Sequence, residues 1–451
     1  MTRFRSRPLT ITALCALAAL GAGACAGAGG GGSGSGDTVR ILMVNNPQMR
    51  ALKELAPEFT QQTGIKLSFT ELPENDLRDK VNQEFANQSN QYDVSSVSAL
   101  EVPIFSKRGW MAPLDGYVGK DSAFDQGDVF PAFTKALTSD DGKLYAEPYY
   151  GESSFLMYRK DVFAAKNLTM PENPTWDQVA ALAAQVGNAE PGMAGICLRG
   201  QAGWGQNLAP LSTVVNTFGG TWYDQNWNAQ LTSPQFTQAT RFYVDLVRKY
   251  GEPGAAQAGV QECINTVQQS KAAMFYDATS IAGLLEANDS PVKGKMGYVP
   301  APVKDTANSG WLWTWAWGIE KASPNKDNAW KFISWASGKQ FEQQAAAKVG
   351  WSKAPTGKRN STYAQDGYRQ AAAPYYQQER TALQKADPAN PGVQPRPYSG
   401  IQFVGIAEFP SLGTQVSQQI SSAIAGQISV PDALAASQKL AQQVGDTHRT
   451  G

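Results

Sequence analysis

The chain has 451 residues, 42% of them hydrophobic and 10% aromatic, and at this length one hydrophobic core stops growing, so two lobes are expected. Lysine plus arginine equals aspartate plus glutamate at 39 each, which leaves no basic footprint for nucleic acid or an anionic membrane and suits a neutral ligand. The one histidine, His448, lies in a polar C-terminal stretch, which argues against Ser-His and Cys-His nucleophiles and against histidine metal sites.

Arg3, Arg5 and Arg7 precede the apolar stretch ITALCALAAL, too short to span a bilayer, and the small residues GAGAC. This reads as a secretory signal over residues 1–25. Ala22-Gly23-Ala24-Cys25 is similar to a lipoprotein processing site, with Cys25 as the lipidated residue; plain cleavage at an A-x-A site is the alternative. Residues 26–36, AGAGGGGSGSG, form a flexible tether that would let a folded body float roughly 20 Å from its anchor. Two cysteines remain, Cys197 and Cys263. In an exported protein such a pair suggests a disulfide, with free thiols as the alternative and a metal site disfavoured.

From residue 37 the pattern alternates strand and helix. TVRILMV reads as a buried strand, and Met49, Leu52, Leu55 and Phe59 mark a helical stripe that Pro57 should kink. IKLSFTEL is a second strand, Leu77, Val81 and Phe85 mark a second helix, and YDVSSVS is a third strand. Repeated βα units imply an α/β fold with mainly parallel sheets, whose ligands sit beyond the carboxyl ends of the strands. The residues at those ends are Asn45 and Asn46, Glu71, and Ser98 through Glu101.

In the middle of the chain KLYAEPYYGESSFLMYRKDVF runs from an extended segment into a strand, and NPTWDQVAALAAQVG begins a helix capped by Thr175 or Asp177. GMAGICLRG reads as a buried strand ending at Arg199, QATRFYVDLVRKYG as an amphipathic helix closed by Gly251, and KAAMFYDAT as a strand ending at Asp277. Residues 414–443 read as two helices broken near Ser429-Val430-Pro431. Between these segments lies GWLWTWAWG, with Trp311, Trp313, Trp315 and Trp317 at period two; on a strand all four indoles share one face.

YGESSFLMYRKDVF, PTWDQV, GICLRGQAGWG, AMFYDAT, GWLWTWAWGIEKASPNKDNAWKFISWA and PYSGIQFVGIAEFP occur in an order and spacing that resemble the extracellular solute-binding proteins of bacterial ABC importers, in the sorbitol and mannitol binding branch. The likeness covers residues 38–445. It implies a two-lobed periplasmic-binding-protein fold of type II that closes over a sugar or polyol. Lobe one would combine 37–150 with 315–375, and lobe two 151–314 with 376–451. The crossings would fall near Tyr150 to Ser153 and near Trp313 to Trp315.

The same resemblance implies lobe-one contacts from Asn45, Asn46, Ser98, Glu101 and Glu152, and lobe-two contacts from Arg199, Trp204, Asn207 and Asp277. Tyr150, Trp204, Trp313 and Trp315 would be the aromatic plates, with Trp311 and Trp317 left to packing. It implies no cofactor and a monomeric binding protein that hands its ligand to a membrane permease with an ATPase. Such chemistry suits an open-chain polyol, whose hydroxyls each donate and accept and whose C–H faces are apolar. Two rival readings are a glycoside hydrolase using Glu101 and Glu152 as its carboxylate pair, and a structural surface lipoprotein.

Overall fold

The computed structural model describes residues 37–450; the signal segment with Cys25 and the tether lie outside these residues. Among the described residues no helix is long and apolar enough to cross a membrane.

The opening alternation folds as β1 (Thr38–Val44), α1 (Met49–Thr63), β2 (Lys66–Leu72), α2 (Glu74–Asn87), β3 (Val94–Ser98) and α3 (Glu101–Lys107). Met49, Leu52, Leu55 and Phe59 are all buried along α1, which runs as one helix through Pro57. Leu77, Val81 and Phe85 do the same for α2, whose first turn carries Glu74 and Asp76, favourable charges at a helix N-terminus. After these come β4 (Ala146–Glu152), β5 (Ser154–Arg159), β6 (Met274–Ala278), β7 (Met296–Pro300) and β8 (Trp313–Ile319).

These strands make two sheets. The first has the order β2-β1-β3-β8-β4, the second β6-β5-β7. The parallel pairing expected from βα alternation holds for β1 with β2 and with β3, while β8 runs antiparallel to both β3 and β4. In the second sheet β5 pairs antiparallel with both neighbours, so a mainly parallel sheet there is corrected. GMAGICLRG is also corrected: it makes only single parallel bridges, Ala194 to Ala272 and Cys197 to Phe275, before turning away.

The chain passes from the first sheet to the second at Ser153, the one residue between β4 and β5. Gly151 lets this crossing through, because a Cβ there would lie 2.3 Å from the Phe133 ring and 2.7 Å from the Gly357 carbonyl. The return lies between β7 and β8, with the Trp311 N–H donating to Ser154 Oγ at 3.2 Å. Elsewhere the sequence signals hold well. Thr175 caps the helix Trp176–Val186 in a capping box with Gln178. Gly251 ends the helix Pro234–Tyr250. The C-terminal helices are Phe409–Ile424 and Val430–Thr450, and the break falls where Pro431 requires it.

Candidate functional site

Between the sheets lies a cavity of about 240 Å³ that collects strand ends and crossings from both. Of the residues singled out from the sequence, Asn45, Asn46, Tyr150 and Glu152 line it from the first sheet. Arg199 and Trp204 line it from the other side, and Trp313 and Trp315 from the start of β8.

Glu152, the last residue of β4, accepts a hydrogen bond from Ser280 Oγ at 2.5 Å. Burial pushes its carboxyl up to about 8, and Asp277 and Glu74 act in the same direction, so at neutral pH it is largely protonated and can donate as well as accept. Asn46 Nδ2 donates to the Tyr150 hydroxyl at 2.9 Å, and burial raises that phenol well above its usual value. Arg199 donates from Nε and Nη2 to Asp277 at 2.8 and 2.5 Å and from Nη1 to the Gly205 carbonyl at 2.8 Å. Burial opposes its charge, but Asp277 more than offsets this and the guanidinium is raised above its ordinary value.

Five expected contacts do not line the cavity. Glu71 is half-buried on the edge strand β2, in an ion pair with Lys53 at 2.5 Å. Ser98 and Glu101 are buried beneath the wall, the serine hydroxyl donating to the glutamate at 2.7 Å. Asp277 is spent on Arg199, and Asn207 donates through Nδ2 to the carbonyls of Ser417 and Gly200, at 2.9 and 3.3 Å. Two of these four hold residues that do reach the cavity: Asp277 holds Arg199, and Glu101 holds Arg78. Glu101 accepts from Arg78 Nη1 at 3.2 Å and, unlike Glu152, does not line the cavity.

Sequence reading missed Glu74, Arg78, Gln206, Ser280, Gln402 and Phe403, all on the cavity wall. The i,i+4 spacing of Glu74 and Arg78 on α2 was a usable signal, and the pair is formed at 2.6 Å. Gln402 and Phe403 lie in irregular chain with no periodicity to mark them; Gln402 Oε1 is fully buried and has no hydrogen-bond partner among the described residues.

The tryptophan run divides along its length. Trp313, Trp315 and Trp317 share one face of β8, but Trp317 packs in the core against Tyr149 and Phe332 at 5.3 and 5.4 Å, while Trp313 and Trp315 meet edge to face at 6.0 Å on the cavity wall. Trp311 precedes the strand. It packs against Tyr276 at 5.8 Å, and it also reaches the cavity, which packing alone did not anticipate. Cys197 and Cys263 form a disulfide, with Cα atoms 5.6 Å apart, tying the segment that carries Arg199 to the helix Val260–Gln268, whose Val260 and Ile264 also line the cavity.

Residues 45–345 match the family model of the bacterial extracellular solute-binding proteins. The chain belongs to this family. The chain of this solute-binding protein is 37% identical, over 89% of its length and 92% of the relative's, to a mannitol-binding protein of Pseudomonas aeruginosa. It is 27% identical over 68% of both chains to an erythritol/L-threitol-binding protein of Mycolicibacterium smegmatis. Among solved structures, a solute-binding protein of Agrobacterium vitis with bound D-mannitol superposes with a TM-score of 0.88 at 40% identity, covering 91% of this chain and 99% of that one. The ribitol complex of an Agrobacterium radiobacter solute-binding protein has a TM-score of 0.81 at 23% identity, over 91% and 99% of the two chains, and shows the same fold. The solute-binding protein thus has the two-lobed fold of its family and binds rather than transforms its ligand.

Proposed function

We propose that this solute-binding protein captures a hexitol, mannitol or sorbitol, between its lobes and delivers it to the permease of an ABC importer. The observation that carries this reading is the D-mannitol held by the 40% identical relative. The cavity chemistry supports it. A buried hydroxyl left without a partner costs ~1–3 kcal/mol, and here Glu152, Arg199, Asn46, Ser280 and Gln402 line the cavity with donor and acceptor side chains while the indoles of Trp313 and Trp315 offer apolar surface to the C–H edges.

Ligand contact is assigned to Asn45, Asn46, Tyr150, Glu152, Arg199, Trp204, Trp313 and Trp315, with Asp277 holding Arg199, Ser98 and Glu101 standing behind Arg78, and Asn207 left to packing. Lobe one is taken as residues 37–150 with 315–375 and lobe two as 151–314 with 376–451, with hinge closure stabilised by the ligand's contacts to both. The protein acts as a monomer, tethered outside the cytoplasmic membrane through a lipid on Cys25.

The test is titration calorimetry with mannitol, sorbitol, arabitol, xylitol, a monosaccharide and a disaccharide. Saturable binding strongest for a hexitol supports the reading. A disaccharide binding more tightly than any polyol keeps the importer role and replaces the ligand. Heat from none of them overturns the proposal.

A further inference from the structure

One basic side chain occupies the place where an aromatic box would hold a ligand. Arg78 Cζ stands 3.7 Å from the ring centroid of Trp204, 4.9 Å from that of Trp315 and 5.2 Å from that of Trp313. All three indoles line the cavity, and so does Arg78, whose side chain is only 5% exposed. Clustered indole faces around a cleft offer stacking plates to a ligand's apolar face. Here a guanidinium covers one face of each of these three indoles, which still line the cavity.

The side chain is held on both edges. Nε and Nη2 donate to Glu74 Oε1 at 3.1 and 2.6 Å, and Nη1 donates to Glu101 Oε1 at 3.2 Å. Glu101 is itself fixed by Ser98, and Glu74 also accepts from Gln206 Nε2 at 3.2 Å, a bond between α2 and the segment that carries Trp204. That segment comes in close because of Gly205, where a Cβ would fall 2.1 Å from Glu74 Oε1 and 3.0 Å from Arg78 Nε. Each surrounding group therefore favours one position of the guanidinium, between the indoles.

We propose that Arg78 is a specificity-determining residue that fills the Trp204–Trp313–Trp315 box and ends the cavity at the length of one open-chain polyol or single sugar unit. The inference rests on the polyol-binding reading above. Without Arg78, the free indole faces extend the cavity by a stacking site for a second sugar ring, and the ligand class shifts from hexitol towards glycosylated hexitols and disaccharides.

The experiment compares three proteins by calorimetry against mannitol and maltitol. Arg78→Ala with Glu101→Gln opens the space and neutralises Glu101, the more buried of the two carboxylates that lose Arg78. Arg78→Met with Glu101→Gln makes the same charge change but keeps the space filled. The parent should bind mannitol and not maltitol. The alanine variant should raise the ratio of maltitol to mannitol association constants at least about tenfold over the methionine variant, in the range that pocket shape controls. Equal ratios in the two variants overturn the proposal. A length series on the parent alone, from a tetritol through a hexitol to a heptitol and maltitol, tests it without any variant: affinity should peak at the hexitol and drop beyond it, and undiminished binding of maltitol refutes a wall at Arg78. A parent that binds none of these polyols defeats the ligand reading itself, an outcome distinct from equal ratios.

Discussion

Arg199 and Asp277 form a buried bidentate pair, Nε to Oδ2 at 2.8 Å and Nη2 to Oδ1 at 2.5 Å, with the aspartate fully enclosed and the guanidinium turned to the cavity wall. The aspartate also accepts from the Ala278 N–H at 2.7 Å, so β6 fixes the carboxylate and the carboxylate fixes the arginine. Asp277→Ala strands a buried cation, and loss of one partner of such a pair costs about 3–5 kcal/mol. Urea unfolding should show a lower midpoint by that measure, and hexitol binding should weaken as well. An unchanged midpoint would mean that water or another carboxylate replaces Asp277.

The buried glutamates set a pH dependence. Burial raises Glu147 and Glu152 to about 8 and Glu379 to about 7. Each therefore holds a proton in the folded protein that an unfolded chain, titrating near ~4.3, has released. The stability this contributes is full below about pH 4 and is lost as pH rises through 7–8, at up to ~1.4 kcal/mol per pH unit for each group. Lys358, buried beside Glu342 and lowered by burial to about 8, acts in the opposite sense only above that value. The melting temperature of the ligand-free protein should thus fall between about pH 5.5 and about pH 8. Glu147, buried and outside the cavity lining, is the cleanest probe. Glu147→Gln should flatten the decline, and a melting temperature that climbs over this window would contradict the account.

Glu152→Gln separates proton from carboxyl. The amide mimics the protonated acid in shape and keeps a donor, so hexitol affinity near pH 6 should change little and its fall towards pH 9 should diminish, since burial holds Glu152 at about 8. Calorimetry at the two pH values reads this directly. Binding abolished at both would show that the ligand needs the ionised carboxylate.

The disulfide closes a loop of 66 residues between Cys197 and Cys263. By loop-closure entropy, replacing both with serine should cost about 4 kcal/mol of stability. Since it joins the Arg199 segment to the helix that carries Val260 and Ile264, the loss should extend to ligand affinity. A stability loss with affinity intact would confine the bridge to packing.

Two tryptophans of one strand face should respond oppositely. Trp317→Ala opens a core cavity beside Tyr149 and Phe332 and should cost about 3–5 kcal/mol of stability. Trp315→Ala, at the cavity wall, should weaken hexitol binding far more than it lowers the melting temperature of the free protein. The reverse pattern would return Trp315 to the core.

Local patterning was sufficient for β1, β2, β3, α1 and α2, because their apolar periodicity is strong and tertiary packing agrees with it. The caps at Thr175 and Gly251 and the break at Pro431 follow from chemistry contained within a few residues. The GMAGICLRG segment did not follow its pattern. Its partners, Ala272 and Phe275, lie far along the chain and reach it at single bridges only, and no local signal reports that.

For the site, the sequence by itself determined the residue types and their places along the chain: Asn46 after β1, Glu152 at the end of β4, and Tyr150, Arg199 and the tryptophan run. Only the tertiary structure decided which carboxylates are already engaged. Asp277 and Glu101 are held by Arg199 and Arg78, and Glu71 is paired with Lys53 on an edge strand, because ion pairing and edge position depend on residues brought together from separate parts of the chain. The same holds for the four indoles of GWLWTWAWG. Period two placed Trp313, Trp315 and Trp317 on one face of β8, but which end of that face meets the cavity and which meets the core was set by the strands and helices packed against it.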